Sequence, residues 1–139
     1  MIIRSKSAQD WVQSALASLH EIAGRCSVAG WDGEEARPIP IKAVAIAENV
    51  VWALYAILPQ GAPSPDIIPE SDGEICFSWD LADGRIFSMS IGEHGKINYA
   101  GQLGKKGGAH GWLPIDVSNP WALRADLQEI AKYINKLFI

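Results

Sequence analysis

Three segments of the chain repeat apolar residues at the three- and four-residue spacing of one helix face. The segments start at Ser7, Pro40 and Ser118 or Asn119, and the first two stop near Gly24–Gly30 and at Leu58. Proline suits the first turn of a helix, as at Pro40 and Pro120, because that turn needs no N–H donor. The outer segments carry the stripes Trp11, Ala15, Leu19, Ile22, Ala23 and Cys26, and Leu123, Leu127, Ile130, Ile134 and Leu137. The pattern therefore predicts three helices, of which the second is central and buried.

Between the second and third helices the apolar period changes from helical spacing to every second residue. Such alternation is typical of antiparallel strands that bury one face. Three strands are predicted from the rows Ile75, Phe77, Trp79 and Leu81, then Phe87, Met89 and Ile91, then Ile97, Tyr99 and Gly101. Asp83-Gly84 and Gly92–Gly95 supply the turns between them, and Ile67-Ile68 is a candidate for a short fourth strand.

This order of elements predicts a single α+β domain over residues 1–139. Two N-terminal helices precede a three- to four-stranded antiparallel meander, a C-terminal helix follows it, and all helices pack on one sheet face. The other face carries the small or polar residues Cys76, Ser78, Asp80, Ser88, Ser90, Lys96 and Asn98. That face can lie against water or against a partner.

The tract Gly101–Gly111 contains five glycines with Lys105 and Lys106 between them. It predicts a mobile, solvated loop, and a lid that closes over a ligand is the alternative. A phosphate loop is excluded, because a P-loop requires Ser or Thr directly after its lysine and then a helix. In this chain Lys106 is followed by Gly107.

Composition narrows the classes of function. The formal net charge of −4 argues against attachment to nucleic acid or an anionic membrane. A local basic patch of Arg85, Lys96, Lys105 and Lys106 keeps nucleic acid as a third hypothesis. The two cysteines have no metal-binding spacing, and we expect no cofactor, no metal and no membrane span. Neither a signal sequence nor a disulfide framework is indicated, so we expect a cytoplasmic protein.

Six tryptophans are many for 139 residues. Trp11, Trp52, Trp79 and Trp121 are most simply assigned to the core. Trp31 and Trp112 lie in glycine-rich segments, where a large ring anchors a loop or contacts a partner. The candidate binding residues are therefore Trp31, Asp32, Tyr99, Lys105, His110 and Trp112.

No catalytic constellation is recognisable. His110 is a candidate general base, but no serine or cysteine can be assigned as its nucleophile. The alternative function is a small hydrolase or metal-dependent enzyme in which His110 works with a loop carboxylate, Asp32 or Asp72. The first hypothesis is a non-catalytic binding protein, a homodimer, that uses either the polar sheet face or a groove beside Trp31 and Trp112 to bind a partner protein or small ligand.

Three groups of motifs lie between Trp31 and about Gly111. They are Trp31-Asp32-Gly33 with Ala36 and Pro38-Ile39, then Pro65-x-Ile67 with Asp72-Gly73-Glu74-Ile75, then Ser88–Gly101, which ends in Ile97-x-Tyr99-Ala100-Gly101. In these motifs the sequence resembles a group of small uncharacterised bacterial proteins. The resemblance implies an accessory protein of the bacterial cytoplasm, of the kind carried by mobile or variable gene regions. It brings no catalytic residues with it.

Overall fold

Three helices form in the segments where the sequence predicts them. The computed structural model describes residues 6–81 and 83–137, and its helices are α1 (Lys6–Arg25), α2 (Ile41–Ile57) and α3 (Pro120–Leu137). The Asn119 side chain accepts hydrogen bonds from the backbone N–H groups of Trp121 and Ala122 at 3.0 and 3.3 Å, so Asn119 is the N-cap of α3. None of the described helices is both long and apolar enough to cross a membrane.

The strands form one antiparallel meander. They are β1 (Asp66–Pro69), β2 (Ile75–Asp80), β3 (Ile86–Ile91), β4 (Lys96–Gln102) and β5 (Gly108–Pro114). Each strand pairs with the next along the chain, so β3 lies in the centre and β1 and β5 are the edges. In β2 and β3 every second residue is buried, as the sequence alternation predicts.

The helices cover one face of this sheet in the order in which they occur along the chain. α1 lies against β1, α2 against β2 and β3, and α3 against β3 and β5, while α2 packs between α1 and α3. The inward strand residues and the helix stripes form a contiguous hydrophobic core, with Leu19, Leu54, Phe77 and Leu127 fully buried. The α+β architecture with helices on the sheet is thus confirmed, with five strands in place of three to four.

The additional strand is β5, and it corrects the prediction of a loop over Gly101–Gly111. That tract contains the end of β4, a short 3-10 turn at Gly104–Lys106 and the first half of β5. Two of its glycines allow close packing. A Cβ at Gly101 would lie 2.8 Å from Phe87, and one at Gly111 would lie 2.8 Å from the Tyr99 hydroxyl.

Two tryptophans assigned to the core lie on the surface. Trp52 and Trp121 are 49% and 75% exposed, whereas Trp11 and Trp79 are buried as predicted. Trp121 is two residues before Leu123, which places it roughly 200° around the helix from the buried stripe. Trp52 lies on the outer side of α2, a helix whose apolar residues extend around most of its circumference.

Candidate functional site

The sheet face opposite the helices is built from rows of outward side chains that run across all five strands. One row contains Asp66, Ser78, Ser88, Ala100 and His110, and the next contains Ile68, Cys76, Ser90, Asn98 and Trp112. We call this surface the open face. Its centre carries small residues, while Ile68 and Trp112 stand at opposite edges and are both exposed. A partner can therefore pack closely on the small residues at the centre and contact Ile68 and Trp112 at the two edges.

Charge is segregated across the open face. The strands β1 and β2 carry the acidic residues Asp66 and Asp80 and no basic residue. The strands β4 and β5 carry Lys96 and His110 and no acidic residue. The central strand β3 has no charged residue at all. The β1–β2 side of the face is thus acidic, and Lys96 places a positive charge on the other side of β3.

Two further carboxylates extend the acidic side at one end of the sheet. A Cβ at Gly92 would meet the Glu74 carboxylate at 3.1 Å, so Glu74 leans over the start of the β3–β4 turn. Glu70 accepts a hydrogen bond from the Ser90 hydroxyl at 2.5 Å. Partial burial and the nearby carboxylates of Asp72 and Glu70 raise the pKa of Glu74.

Trp112 is the largest exposed side chain of the open face, with 61% of its surface accessible. The Lys96 ammonium lies 5.0 Å from the centre of its ring, within the range of a cation–π contact. This contact holds an aromatic ring and a positive charge together at the β4–β5 side. Exposed tryptophans of this kind are frequent centres of binding energy in protein interfaces.

Trp31 and Asp32 lie at the β1 side of the sheet, away from Trp112, and their side chains hold the backbone of their own loop. The Trp31 indole donates a hydrogen bond to the Arg37 carbonyl at 2.8 Å, and Asp32 accepts bonds from the backbone of Glu34 and Ala36. The backbone N–H of Arg37 bonds the Ser71 carbonyl, which joins this connection to the β1–β2 turn. The structure therefore does not bring Trp31 and Trp112 into one groove.

Tyr99 and Lys105 also lie away from Trp112. Tyr99 points to the helix side, where its ring centre is 5.9 Å from that of Phe87 and 5.5 Å from that of Tyr133. Desolvation of the hydroxyl, with a hydrogen bond involving Tyr133, raises the pKa of Tyr99. Lys105 is exposed in the 3-10 turn between β4 and β5. Of the six predicted residues, only His110 and Trp112 share the open face.

The geometry gives no support to catalysis by His110. Asp32 and Asp72 belong to connections at the β1 side of the sheet, while His110 is on β5. Four strand spacings separate those edges by about 19 Å. A separate group of carboxylates lies at the β1–β2 turn, where oxygens of Glu70, Asp72 and Glu74 are within 4.8 Å of one another, a spacing that metal ligands can have. Asp72 accepts the Glu74 backbone N–H as part of the hairpin turn.

The predicted basic patch is divided between two ends of the sheet. Lys96 begins β4, whereas Lys105 and Lys106 follow its end, roughly 20 Å away along an extended strand. Arg85 lies beside Gly104 but is paired with Asp83 at 2.8 Å. These four residues therefore form no continuous surface for a phosphate backbone.

A second group of exposed side chains, which the sequence prediction missed, lies on the helix layer. Trp52 and Tyr55 on α2 contact each other edge to face, with ring centres 6.2 Å apart. On α3, the Arg124 guanidinium lies 4.9 Å from the centre of the Trp121 ring. The available signal was the offset of Trp52 and Trp121 from the buried stripes of their own helices.

Comparison with known proteins gives no match, since no family model, curated protein or solved structure is similar to this chain. The resemblance to small bacterial accessory proteins stays a prediction.

Proposed function

We propose that this chain is a non-catalytic binding protein of the cytoplasm and that its open face binds a second copy of the chain. The observation that carries the proposal is the segregation of charge about β3, combined with an exposed tryptophan at one edge. An interface between two identical subunits must be complementary to itself under a twofold axis. A surface that is acidic on one half and carries a positive charge on the other meets this condition.

The twofold axis that brings opposite charges together runs parallel to β3, between two sheets whose open faces are turned toward each other. It places β1 of one copy over β5 of the other, and β2 over β4, while each residue keeps its position along the strand. Asp66 then faces His110 of the second copy, and Glu74 faces Lys96 of the second copy. Sheets that pack face to face keep their strands within about 30° of each other, so this register is approximate.

The same axis pairs the two large apolar side chains of the open face. Ile68 at the β1 edge faces Trp112 of the second copy at the β5 edge, and this contact occurs twice. Between these contacts lie the small residues of the β2, β3 and β4 rows, which let the sheets approach. The arrangement gives apolar contacts at both sides and a polar centre.

The size of the open face limits the affinity. Five strands about 4.8 Å apart and about six residues long give a surface of roughly 24 by 20 Å. Two such surfaces bury on the order of 1,000 Å², which is near the lower limit for a specific interface. We therefore expect a reversible dimer with a dissociation constant in the micromolar range.

A charge swap tests the register. Sedimentation velocity over a concentration series is measured for the unaltered chain, Glu74→Lys, Lys96→Glu and the double variant. Each single substitution places like charges opposite each other twice, so each should weaken the dimer about tenfold or more. The double variant restores opposite charges and should recover most of the affinity. A double variant as weak as the single ones would contradict the proposed axis.

A tryptophan pair tests the face itself. Trp112→Ala should weaken the dimer about tenfold or more, because it removes the largest apolar contact. Trp121→Ala changes an equally prominent tryptophan on the helix layer and should leave the dimer unchanged. Raising the salt concentration should weaken the dimer by screening the charge pairs. A chain that stays monomeric at high concentration, or that loses its dimer through Trp121→Ala alone, would refute the proposal.

A further inference from the structure

A pocket of about 360 Å³ opens on the helix layer, between α2 and the start of α3. Its apolar lining includes Trp52, Ala53, Val117 and Leu123. Ala53 and Leu123 are buried and form the inner surface, while Trp52 is half exposed and forms a wall. The volume lies at the lower end of the range for small-molecule sites, which suits a ligand of one or two fused rings.

The charged group that lines this pocket is positive, with no negative group beside it. Arg124 contributes a guanidinium and Asn49 an amide, and no carboxylate is among the residues that line the pocket. Arg124 makes no ion pair within residues 6–81 and 83–137, and the Trp121 ring supports it at 4.9 Å. Its charge is therefore oriented by stacking and available to a ligand. Arginine in this situation is well suited to bind a carboxylate through two parallel hydrogen bonds.

The N-terminus of α3, which lies beside the pocket, does not offer free N–H groups to an anion in place of Arg124. Asn119 already accepts hydrogen bonds from the N–H groups of Trp121 and Ala122, and Asp116 engages both the backbone N–H and the hydroxyl of Ser118. Recognition of a negative charge therefore depends on Arg124. The apolar lining remains to hold the body of the ligand.

We propose that the pocket between α2 and α3 binds a small aromatic carboxylate, with its rings against Trp52 and Leu123 and its carboxylate on Arg124. This site goes beyond the proposed dimer, because it lies on the helix layer and the dimer uses the opposite face of the sheet. The two proposals stand on separate residues, and either can fail alone.

Isothermal titration calorimetry with two probes of the same shape tests the charge recognition. The probes are 1-naphthaleneacetate and its neutral amide, 1-naphthaleneacetamide. The unaltered chain should bind the carboxylate about tenfold or more tightly than the amide. Arg124→Gln should abolish this preference, with little effect on the amide. Lys132→Gln removes one positive charge from an exposed part of α3 and should keep the preference.

Trp52→Ala tests the apolar part and should weaken the binding of both probes. Because Arg124 and Trp52 are partly exposed, these variants are expected to fold, and circular dichroism checks that they do. Equal affinity for acid and amide, an equal effect of Lys132→Gln, or no binding of either probe would overturn the proposal. Repeating the titration with Trp112→Ala separates the two proposals, since loss of the dimer should leave probe binding unchanged.

Discussion

In the proposed dimer, Glu74 contributes to the interface at a cost to the stability of the folded subunit. Its carboxylate is partly desolvated and lies near Asp72 and Glu70, and these effects raise its pKa above the ordinary value of 4.5. A carboxyl group with a raised pKa destabilises the folded state while it is charged. That loss is regained as the pH falls through the folded-state pKa, and it is fully regained below the unfolded value.

Replacement of this carboxylate should therefore stabilise the isolated subunit. Glu74→Gln is expected to raise the free energy of unfolding at pH 7 by about a few tenths of a kcal/mol, because Glu74 is mostly solvated and its interactions are screened. Urea unfolding is measured at protein concentrations at which the chain is monomeric.

The gain should shrink as the pH falls toward 4.5. The matched control is Glu35→Gln, which removes one exposed loop carboxylate. An advantage of Glu74→Gln that persists unchanged at low pH would show that repulsion at Glu74 is not its cause.

At the scale of residues, the sequence predicts a side chain's role best where that role depends only on its neighbours along the chain. The residue types before Pro120 predicted a helix start at Ser118 or Asn119, and in the structure Asn119 accepts hydrogen bonds from the first N–H groups. The position of Trp121 depends on which side of α3 meets the core, and its distance from the buried stripe was the only local signal. His110 and Trp112 were found as candidates, but their shared face follows from a strand pairing that no short segment specifies.

At the scale of elements, the three alternating strands were predicted, a short strand at Ile67-Ile68 was a candidate, and the glycine-rich fifth strand was not predicted. Glycine in a strand normally weakens it, so the composition of the Gly101–Gly111 tract favoured a loop. The structure shows the compensating reason, since Phe87 and Tyr99 occupy the space that side chains at Gly101 and Gly111 would take. That information lies in side-chain packing across strands and cannot be seen in local sequence.

A pair of glycine substitutions tests this explanation. Gly101→Ala is expected to lower the free energy of unfolding by about 1–3 kcal/mol, because its Cβ would clash with the buried Phe87 ring and the Ile86 carbonyl. Gly24→Ala is the control, since nothing lies within 4 Å of a Cβ there and alanine favours a helix by about 0.5–1 kcal/mol. Chemical denaturation measures both. A neutral Gly101→Ala variant would show that packing does not require this glycine.

At the scale of the whole molecule, helices and sheet share one contiguous core. Neither layer can bury its apolar face without the other, so we expect cooperative unfolding. Leu127→Ala, on the buried side of α3, should lower the free energy of unfolding by about 2–5 kcal/mol. Tryptophan fluorescence and far-ultraviolet circular dichroism should report the same midpoint.

The neighbouring substitution Gln128→Ala is the control, because Gln128 is exposed and its loss should change stability by less than about 0.5 kcal/mol. Two separated transitions, one for each spectroscopic probe, would show that the helix layer and the sheet unfold independently.

The order of the elements along the chain also governs how the protein is completed on the ribosome. Every strand pairs with its sequence neighbour, so the hairpins can form one after another as they emerge. The helix α3, which packs on β3 and β5, is translated after all five strands. Until α3 has left the exit tunnel, the part of the sheet that it covers is exposed, including the side of the Phe87 ring that stacks on Tyr133. Translation therefore passes through an interval in which chaperone binding would protect the nascent chain most.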